Sequence, residues 1–109
     1  MEVEAENLKD VILELVETVN LLKYPKRLGI LFYLAENPWS SQSDLCFKSP
    51  YGPHNSGSIK HHVDLLIDRN LVKREDHKYS LDELGMIVYY FIQQYSKFLK
   101  PKEQSHSTQ

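Results

Sequence analysis

SIKHHVDLLIDRNLVKRED, residues 58–76, carries an apolar helix repeat in its first half and a short extended arm in its second. At about 100° per residue the repeat falls on one side of a helix, which predicts that this side packs on a core. These core-facing residues are Ile59, Val63, Leu66 and Ile67. The opposite, exposed side carries Gly57, Lys60, His61, Asp64 and Asp68. The helix is predicted to begin at Asn55 or Ser56, both good N-caps, and to end near Arg69.

The adjacent histidines of this helix, His61 and His62, raise the question of a metal site. On a helix they point about 100° apart, whereas chelation of one ion requires residues three or four positions apart. We therefore expect no metal site here, with His61 exposed and His62 partly buried against the core.

Three helices are predicted before this segment. Residues 3–22 form the first, with a 4-3-4-3 apolar seam typical of paired helices. Its seam residues are Leu8, Ile12, Leu15, Val19 and Leu22. The second begins at Pro25, continues through the apolar and therefore central KRLGILFYLAEN, and ends before Pro38. SSQSDLCFK forms a short third helix, in which Ser41 and Asp44 resemble a capping box with Asp in place of Glu.

A loop, a hairpin and a last helix complete the pattern. SPYGPHNSG, residues 49–57, is rich in proline, glycine and small polar residues and is predicted to be a loop. Residues 71–74 and 79–81 form two extended arms, and the polar EDHK between them forms the turn. The last helix runs from about Asp82 to Leu99. Its 4-3-4-3 seam consists of Leu84, Val88, Phe91, Tyr95 and Phe98.

This order of elements indicates a mainly α fold with a small β-hairpin wing. A short helix, a turn, a longer helix and a hairpin together make the winged helix-turn-helix arrangement. We expect one winged-helix domain over residues 1–100, with the helix-turn-helix and wing over 40–81. The segments 1–22 and 82–99 are predicted to be dimerisation helices, and the polar residues 101–109 a disordered tail.

The composition is that of an ordinary globular domain. The 109 residues suffice for one domain, with 41% hydrophobic and 26% charged residues. The acidic start lacks a secretory signal pattern, and no apolar run approaches the roughly 20 residues of a membrane span. A single cysteine, Cys46, excludes an intrachain disulfide and fits a reducing compartment. We therefore expect a cytoplasmic protein without a membrane partner.

The charge is distributed unevenly along the chain. Residues 1–22 hold six acids against one lysine, a net charge of −5. Residues 23–78 hold nine Lys or Arg against six acids, a net charge of +3, together with four of the five histidines. The basic middle is compatible with a polyanionic partner, and equally with ordinary solvated surface charge.

Two motifs resemble those of known winged-helix regulators. SIKHHVDLLIDRNLVKRED resembles the recognition helix and wing of ArsR-type winged-helix repressors, in which a small polar residue, an apolar residue, a polar residue and one or two histidines precede apolar positions ending in Leu-Val. YSLDELG, residues 79–85, resembles the Y-x-L-T-x-x-G that closes the wing in ArsR, MarR and related regulators, with Asp82 in place of threonine. The resemblance covers roughly residues 26–86.

The resemblance implies a DNA-binding role for particular residues. It places the polar face of the helix in the major groove, with the wing on phosphates or in the minor groove. The residues that it implies for the helix are Ser56, Ser58, Lys60, His61 and Asp64. Those that it implies for the wing are Lys73, Arg74, His77 and Lys78. Backbone contacts of Ser40 or Ser41 with phosphate are a further expectation.

Two features depart from this pattern. Asp64 on a DNA-facing surface is unfavourable unless it accepts from a cytosine amine or pairs with Lys60, one helical turn earlier. The segment between the third and fourth helices is longer than the usual three or four residues. Tyr51 and His54 in that segment are either an extra contact or loop filling, and we favour loop filling.

Sensing and catalysis find little support in the sequence. Metal-sensing ArsR members carry Cys-x-Cys on the third helix or paired ligands on the last one, whereas this chain has Cys46 alone and only the adjacent Asp82 and Glu83. Cys46 is expected to be a small core residue, since a redox role requires an exposed, low-pKa thiol. No Gly-rich phosphate loop, H-E-x-x-H or G-x-S-x-G motif is present. We expect no enzymatic activity and no cofactor.

Both terminal helices carry seams that one short winged-helix core cannot fully cover. We therefore expect a homodimer, although burial of the seams within one chain is the alternative. The expected interface consists of Leu8, Ile12, Leu15, Val19, Leu84, Val88, Phe91, Tyr95 and Phe98. The sequence thus predicts a homodimeric, sequence-specific double-stranded DNA-binding transcriptional regulator with no identifiable effector. The acidic first helix and Asp64 leave open a winged-helix protein-interaction module that does not bind DNA.

Overall fold

A computed structural model gives the chain a mainly helical fold with a small three-stranded antiparallel sheet. It describes residues 5–99, and side-chain surroundings from residue 7 onward. In chain order the elements are α1 (Ala5–Leu22), α2 (Pro25–Glu36), β1 (Ser40–Ser41), α3 (Gln42–Lys48), α4 (Ser56–Asp68), β2 (Val72–Glu75), β3 (Lys78–Leu81) and α5 (Glu83–Ser96). The predicted tail over 101–109, and the first two residues of the predicted helix over 3–22, lie outside the described residues.

The core is built around α2, as its apolar sequence predicts. Pro25 occupies the first turn, where its missing N–H leaves no hydrogen bond unmade. Ile30, Leu31 and Leu34 are almost completely buried, and α2 contacts α1, α4, α5 and β3. From α4 the core receives Ile59, Val63 and Leu66, and the fourth predicted residue, Ile67, is half-buried against it, so the predicted apolar side is confirmed. Each such aliphatic side chain contributes about 1.5–3 kcal/mol when fully buried.

Side-chain caps fix where the helices begin. Ser41 Oγ accepts from the backbone N–H of Asp44 at 3.1 Å, and Asp44 Oδ2 accepts from the backbone N–H of Ser41 at 3.2 Å, so the predicted capping box is confirmed. The N–H and then the hydroxyl of Ser41 lower the pKa of the Asp44 carboxyl. Asn55, one of the two predicted caps, accepts from the N–H of Ser58 at 2.7 Å. Asp82 caps α5.

The hairpin turn is shorter than the sequence predicts. The turn lies within the predicted EDHK, but Glu75 and Lys78 belong to the strands and pair with each other, so each strand extends one residue into the predicted turn. The turn consists of Asp76 and His77, whose φ values of 50° and 63° are both left-handed. Two successive left-handed residues are required by a type I′ turn, whose twist matches that of the flanking strands. Turn sequence alone did not indicate it, because neither residue is glycine.

A third strand and an earlier helix end also differ from the predictions. β1 pairs with β3 through Ser40 and Tyr79, which makes β3 the central strand of the order β1-β3-β2. Two serines carry no strand periodicity, so no sequence pattern indicates β1. The last helix, predicted to reach Leu99, ends at Ser96.

Cys46 is buried in the core, as expected of a small apolar residue. Among residues 5–99 no helix is long and apolar enough to cross a membrane.

Candidate nucleic-acid interface

The solvent-facing side of α4 presents most of the polar residues that the sequence singles out. Ser56, Lys60 and His61 are exposed, whereas Ser58 and Asp64 are half-buried. Lys60 Nζ lies 2.8 Å from Asp64 Oδ2, which is the pair expected from their spacing. Exposed pairs of this kind contribute only about 0.3–0.5 kcal/mol. The ammonium of Lys60 can therefore exchange this carboxylate for another acceptor at little cost.

The two histidines of α4 have separate environments. His61 is exposed, and His62 is half-buried, as predicted. Arg27 Nε donates to His62 Nδ1 at 3.1 Å, and Arg27 Nη1 donates to the Leu21 carbonyl at 3.0 Å. Because arginine only donates, His62 accepts at Nδ1 in its neutral form. His62 thus ties α4 to α2 and, through Arg27, to the end of α1.

The environment of His62 favours this neutral form. Burial, followed by the positive charge of Arg27, lowers the pKa of His62 below its usual range. Across the part of the chain described, no group of three or more His, Cys, Asp or Glu is placed to hold a metal ion.

The hairpin formed by β2 and β3 carries the second predicted set. Its cationic residues Lys73, Arg74 and Lys78, and His77 at the turn, are all exposed. Glu75 and Asp76 are exposed beside them, so the hairpin has a net charge of only +1. The sequence analysis did not select Trp39, whose ring centroid lies 5.6 Å from Lys73 Nζ. Trp39 directly precedes β1, and β1 is defined by its pairing with β3, so the sequence alone does not place Trp39 beside the hairpin. We call α4 and this hairpin together the α4–wing surface.

The segment between α3 and α4 is held by hydrogen bonds rather than by a short turn. The backbone N–H of His54 donates to the Cys46 carbonyl at 2.9 Å, and His54 Nε2 donates to the Pro50 carbonyl at 3.0 Å. His54 is buried, so it fills the loop as expected. Tyr51, in contrast, is 67% exposed and does not fill the loop.

A second tie at this junction was not foreseen from the sequence. Gln42 Nε2, on the first residue of α3, lies 3.1 Å from the carbonyl oxygen of Ser56 and 2.5 Å from its Oγ. Residues 42 and 56 are far apart in the chain, and no sequence pattern links them.

The predicted interface residues of α1 and α5 form a largely uncovered apolar surface. Those exposed within the single chain are Leu8, Ile12, Leu15, Val19, Leu84, Phe91, Tyr95 and Phe98, while Val88 is half-buried. A groove of about 600 Å³, here called the α1–α5 groove, runs between the two helices. Ile87 lines the groove and is 63% exposed, although the predicted 4-3-4-3 seam contains its neighbour Val88 and not Ile87.

The acidic side of α1 is used within the chain. Arg69, at the end of α4, places Nη2 2.6 Å from Glu14 Oε1 and Nη1 2.9 Å from Glu17 Oε1. Two carboxylates of α1 therefore bind the end of α4, while much of the apolar surface of α1 remains exposed.

Comparison of the sequence with protein-family models and with curated proteins finds no match. The functional inference therefore rests on the α4–wing surface and the α1–α5 groove.

Proposed function

We propose that this chain is a winged-helix transcriptional regulator that binds double-stranded DNA sequence-specifically as a homodimer. The observation that carries the proposal is the two-sided character of α4. On one side Ile59, Val63 and Leu66 are fully buried in the core, and the other side offers hydroxyl, ammonium and imidazole groups near the start of the helix. The β2–β3 hairpin with its exposed cations follows directly.

In this proposal the first turns of α4 enter the major groove. A helix fits the groove, which is about 12 Å wide, and the N-terminal residues of a recognition helix contact base edges. Ser56, Ser58, Lys60 and His61 are the base-contacting residues. Lys60 leaves Asp64 for guanine or phosphate, and Asp64 is then free to accept from a cytosine amine.

The wing supplies contacts that do not depend on sequence. Lys73, Arg74 and Lys78 approach phosphates, and His77 at the turn approaches the backbone or minor groove. Each neutralised phosphate releases counterions, so these contacts raise affinity on every duplex.

A second copy of the chain is the proposed occupant of the α1–α5 groove. Leu15, Val19 and Phe91 are apolar, exposed and clustered around this groove, and an apolar surface of this kind marks an interaction site. A twofold dimer presents two α4 helices to one face of DNA. We therefore expect a roughly palindromic site with half-sites about one helical turn apart, and regulation by occupancy of a promoter.

A mobility-shift titration over a range of salt concentrations tests the proposal. We expect affinity to fall with salt with a log–log slope of several units. Lys60→Ala combined with His61→Ala should remove the preference for selected sites while leaving the dimer intact. Lys73→Ala should weaken binding on all duplexes and reduce the salt slope by about one unit.

The matched control is Lys97→Ala, which removes an exposed lysine just after α5 and outside the α4–wing surface. It should leave both site preference and salt slope unchanged. Absence of a shift on every duplex at low salt would overturn the proposal in favour of a protein-interaction module.

A further inference from the structure

Gln42 and Ser56 join the first residues of α3 and α4 at the surface of the molecule. The loop over residues 49–55 is held by the hydrogen bonds of His54 and ends in the Asn55 cap, and Gln42 adds a bond from α3 to the first residue of α4. The amide of Gln42 spans this junction and holds Ser56 through both its carbonyl and its hydroxyl oxygen. The pair therefore positions the residue that begins the proposed recognition helix.

The partners of the Gln42 amide determine which atoms remain free. A carbonyl oxygen only accepts, so the atom of Gln42 that lies 3.1 Å from the Ser56 carbonyl must be the nitrogen. The same nitrogen donates to Ser56 Oγ, so the hydroxyl acts as an acceptor there and keeps its own hydrogen for another partner. Gln42 Oε1 has no hydrogen-bond partner among residues 5–99. The pair thus offers one acceptor, Oε1, and one donor, the hydroxyl, on two side chains that are hydrogen-bonded to each other.

We propose that Gln42 and Ser56 act together as a reader of adenine in the major groove. In that groove adenine presents an amino donor at N6 beside an acceptor at N7, whereas guanine presents two acceptors. Cytosine presents a single donor, and thymine an acceptor and a methyl group. Gln42 Oε1 accepts from N6, and the Ser56 hydroxyl donates to N7. The Ser56 hydroxyl is the donor to N7, because the N–H groups of the Gln42 amide already donate to Ser56.

This inference rests on the proposed function, because it names the base that the start of α4 contacts. It also separates Ser56 from the other exposed residues of α4. Ser56 alone, with a freely rotating hydroxyl, accepts or donates equally well and distinguishes no base. Only the bond from Gln42 makes it a defined donor.

Base analogues that each lack one atom group test the pairing. Sites are first selected from a random duplex pool by the wild-type chain, and affinity is measured by fluorescence anisotropy. In the selected site, 7-deazaadenine removes the N7 acceptor and purine removes the N6 amino group. Each replacement at the adenine contacted by the pair should weaken wild-type binding by about tenfold, the equivalent of one specific contact.

The variants assign each loss to one side chain. Ser56→Ala should bind the adenine and 7-deazaadenine duplexes equally well, and Gln42→Met should bind the adenine and purine duplexes equally well. Ser43→Ala, an exposed serine on the same turn of α3, is the matched control and should discriminate as the wild type does. Thermal unfolding of each variant verifies that it is folded. If Gln42→Met fails to fold, Ser56→Ala at an exposed first helical position still decides the N7 contact.

The outcomes distinguish this inference from the proposed function. The adenine contact alone is overturned if Ser56→Ala still binds the 7-deazaadenine duplex more weakly than the adenine duplex. A selected site without adenine overturns it as well. A uniform loss on all duplexes in Gln42→Met, without a change in discrimination, also overturns it, because the pair would then contact phosphate or only support α4. Failure of the wild type to bind any duplex overturns the proposed function and the adenine contact with it.

Discussion

Replacement of Gly85 by alanine should separate the hairpin from α5. Gly85 lies in the first turn of α5, directly against the backbone of Leu71 at the start of the hairpin. A Cβ at Gly85 would lie 2.1 Å from the Leu71 carbonyl oxygen and 3.1 Å from its carbon. Because the obstacle is backbone rather than the end of a flexible side chain, no rotamer change relieves the overlap.

The cost follows from what must move. Restoring an ordinary contact of 3.4 Å requires a retreat of about 1.3 Å, and overpacking of this kind costs about 1–3 kcal/mol. The same carbonyl accepts from the N–H of Asp82 at 3.0 Å, and loss of that bond costs about 1 kcal/mol more. Alanine returns at most about 1 kcal/mol through its higher helix propensity. We therefore expect Gly85→Ala to lower the free energy of unfolding by about 2 kcal/mol.

Urea denaturation at a fixed chain concentration measures this change, since self-association would make the stability concentration-dependent. Gly57→Ala is the matched control, because a Cβ there meets only Asn55 Oδ1 at 3.6 Å. That variant should be as stable as the wild type or slightly more stable. A Gly85→Ala chain within about 0.5 kcal/mol of the wild type would refute the close approach of α5 and the hairpin.

Three further predictions concern the pH response, a helix cap and the apolar groove. Because the pKa of His62 is lowered in the folded chain, its neutral bond with Arg27 stabilises the fold fully above about pH 6.5, the usual value, and the contribution is lost as pH falls through the folded-state pKa. A His62→Ala variant should lack this pH dependence in urea titrations, and a dependence as steep as that of the wild type would contradict the assignment. Ser41→Ala should lower the free energy of unfolding by about 1 kcal/mol, measured in the same way, through loss of the α3 cap. Phe91→Glu should convert the proposed dimer to a monomer in sedimentation experiments, whereas Tyr90→Glu, an exposed aromatic about 100° away on the same helix, should not; an unchanged mass for Phe91→Glu would place the interface elsewhere.

Elements that follow from local chemistry were predictable from the sequence. The apolar sides of α2 and α4 follow from helical periodicity, and their burial confirms it. The caps at Ser41, Asn55 and Asp82 follow from side chains that reach only their own first turn. In each case the residues that interact are close in the chain, so spacing alone identifies them.

Features that depend on partners distant in the chain were not predictable. The strand β1 exists because Ser40 and Ser41 meet β3, and nothing within the two serines indicates this. The bonds from Gln42 to Ser56 and from Arg27 to His62 likewise join different elements. Periodicity assigns a residue to a helix face but does not state which residue of another helix faces it.

Contacts within the folded chain also affect the two features that are unfavourable for a DNA-binding role. The sequence shows an acidic first helix and an aspartate on the candidate DNA-binding face, and both are unfavourable beside phosphates. In the folded chain Glu14 and Glu17 bind Arg69 at the far end of α4, and Asp64 binds Lys60. Their charges are therefore partly balanced by neighbouring cations. Two of the six acids of residues 1–22 thus have an intramolecular partner, and these two do not by themselves argue against a polyanionic partner at the start of α4.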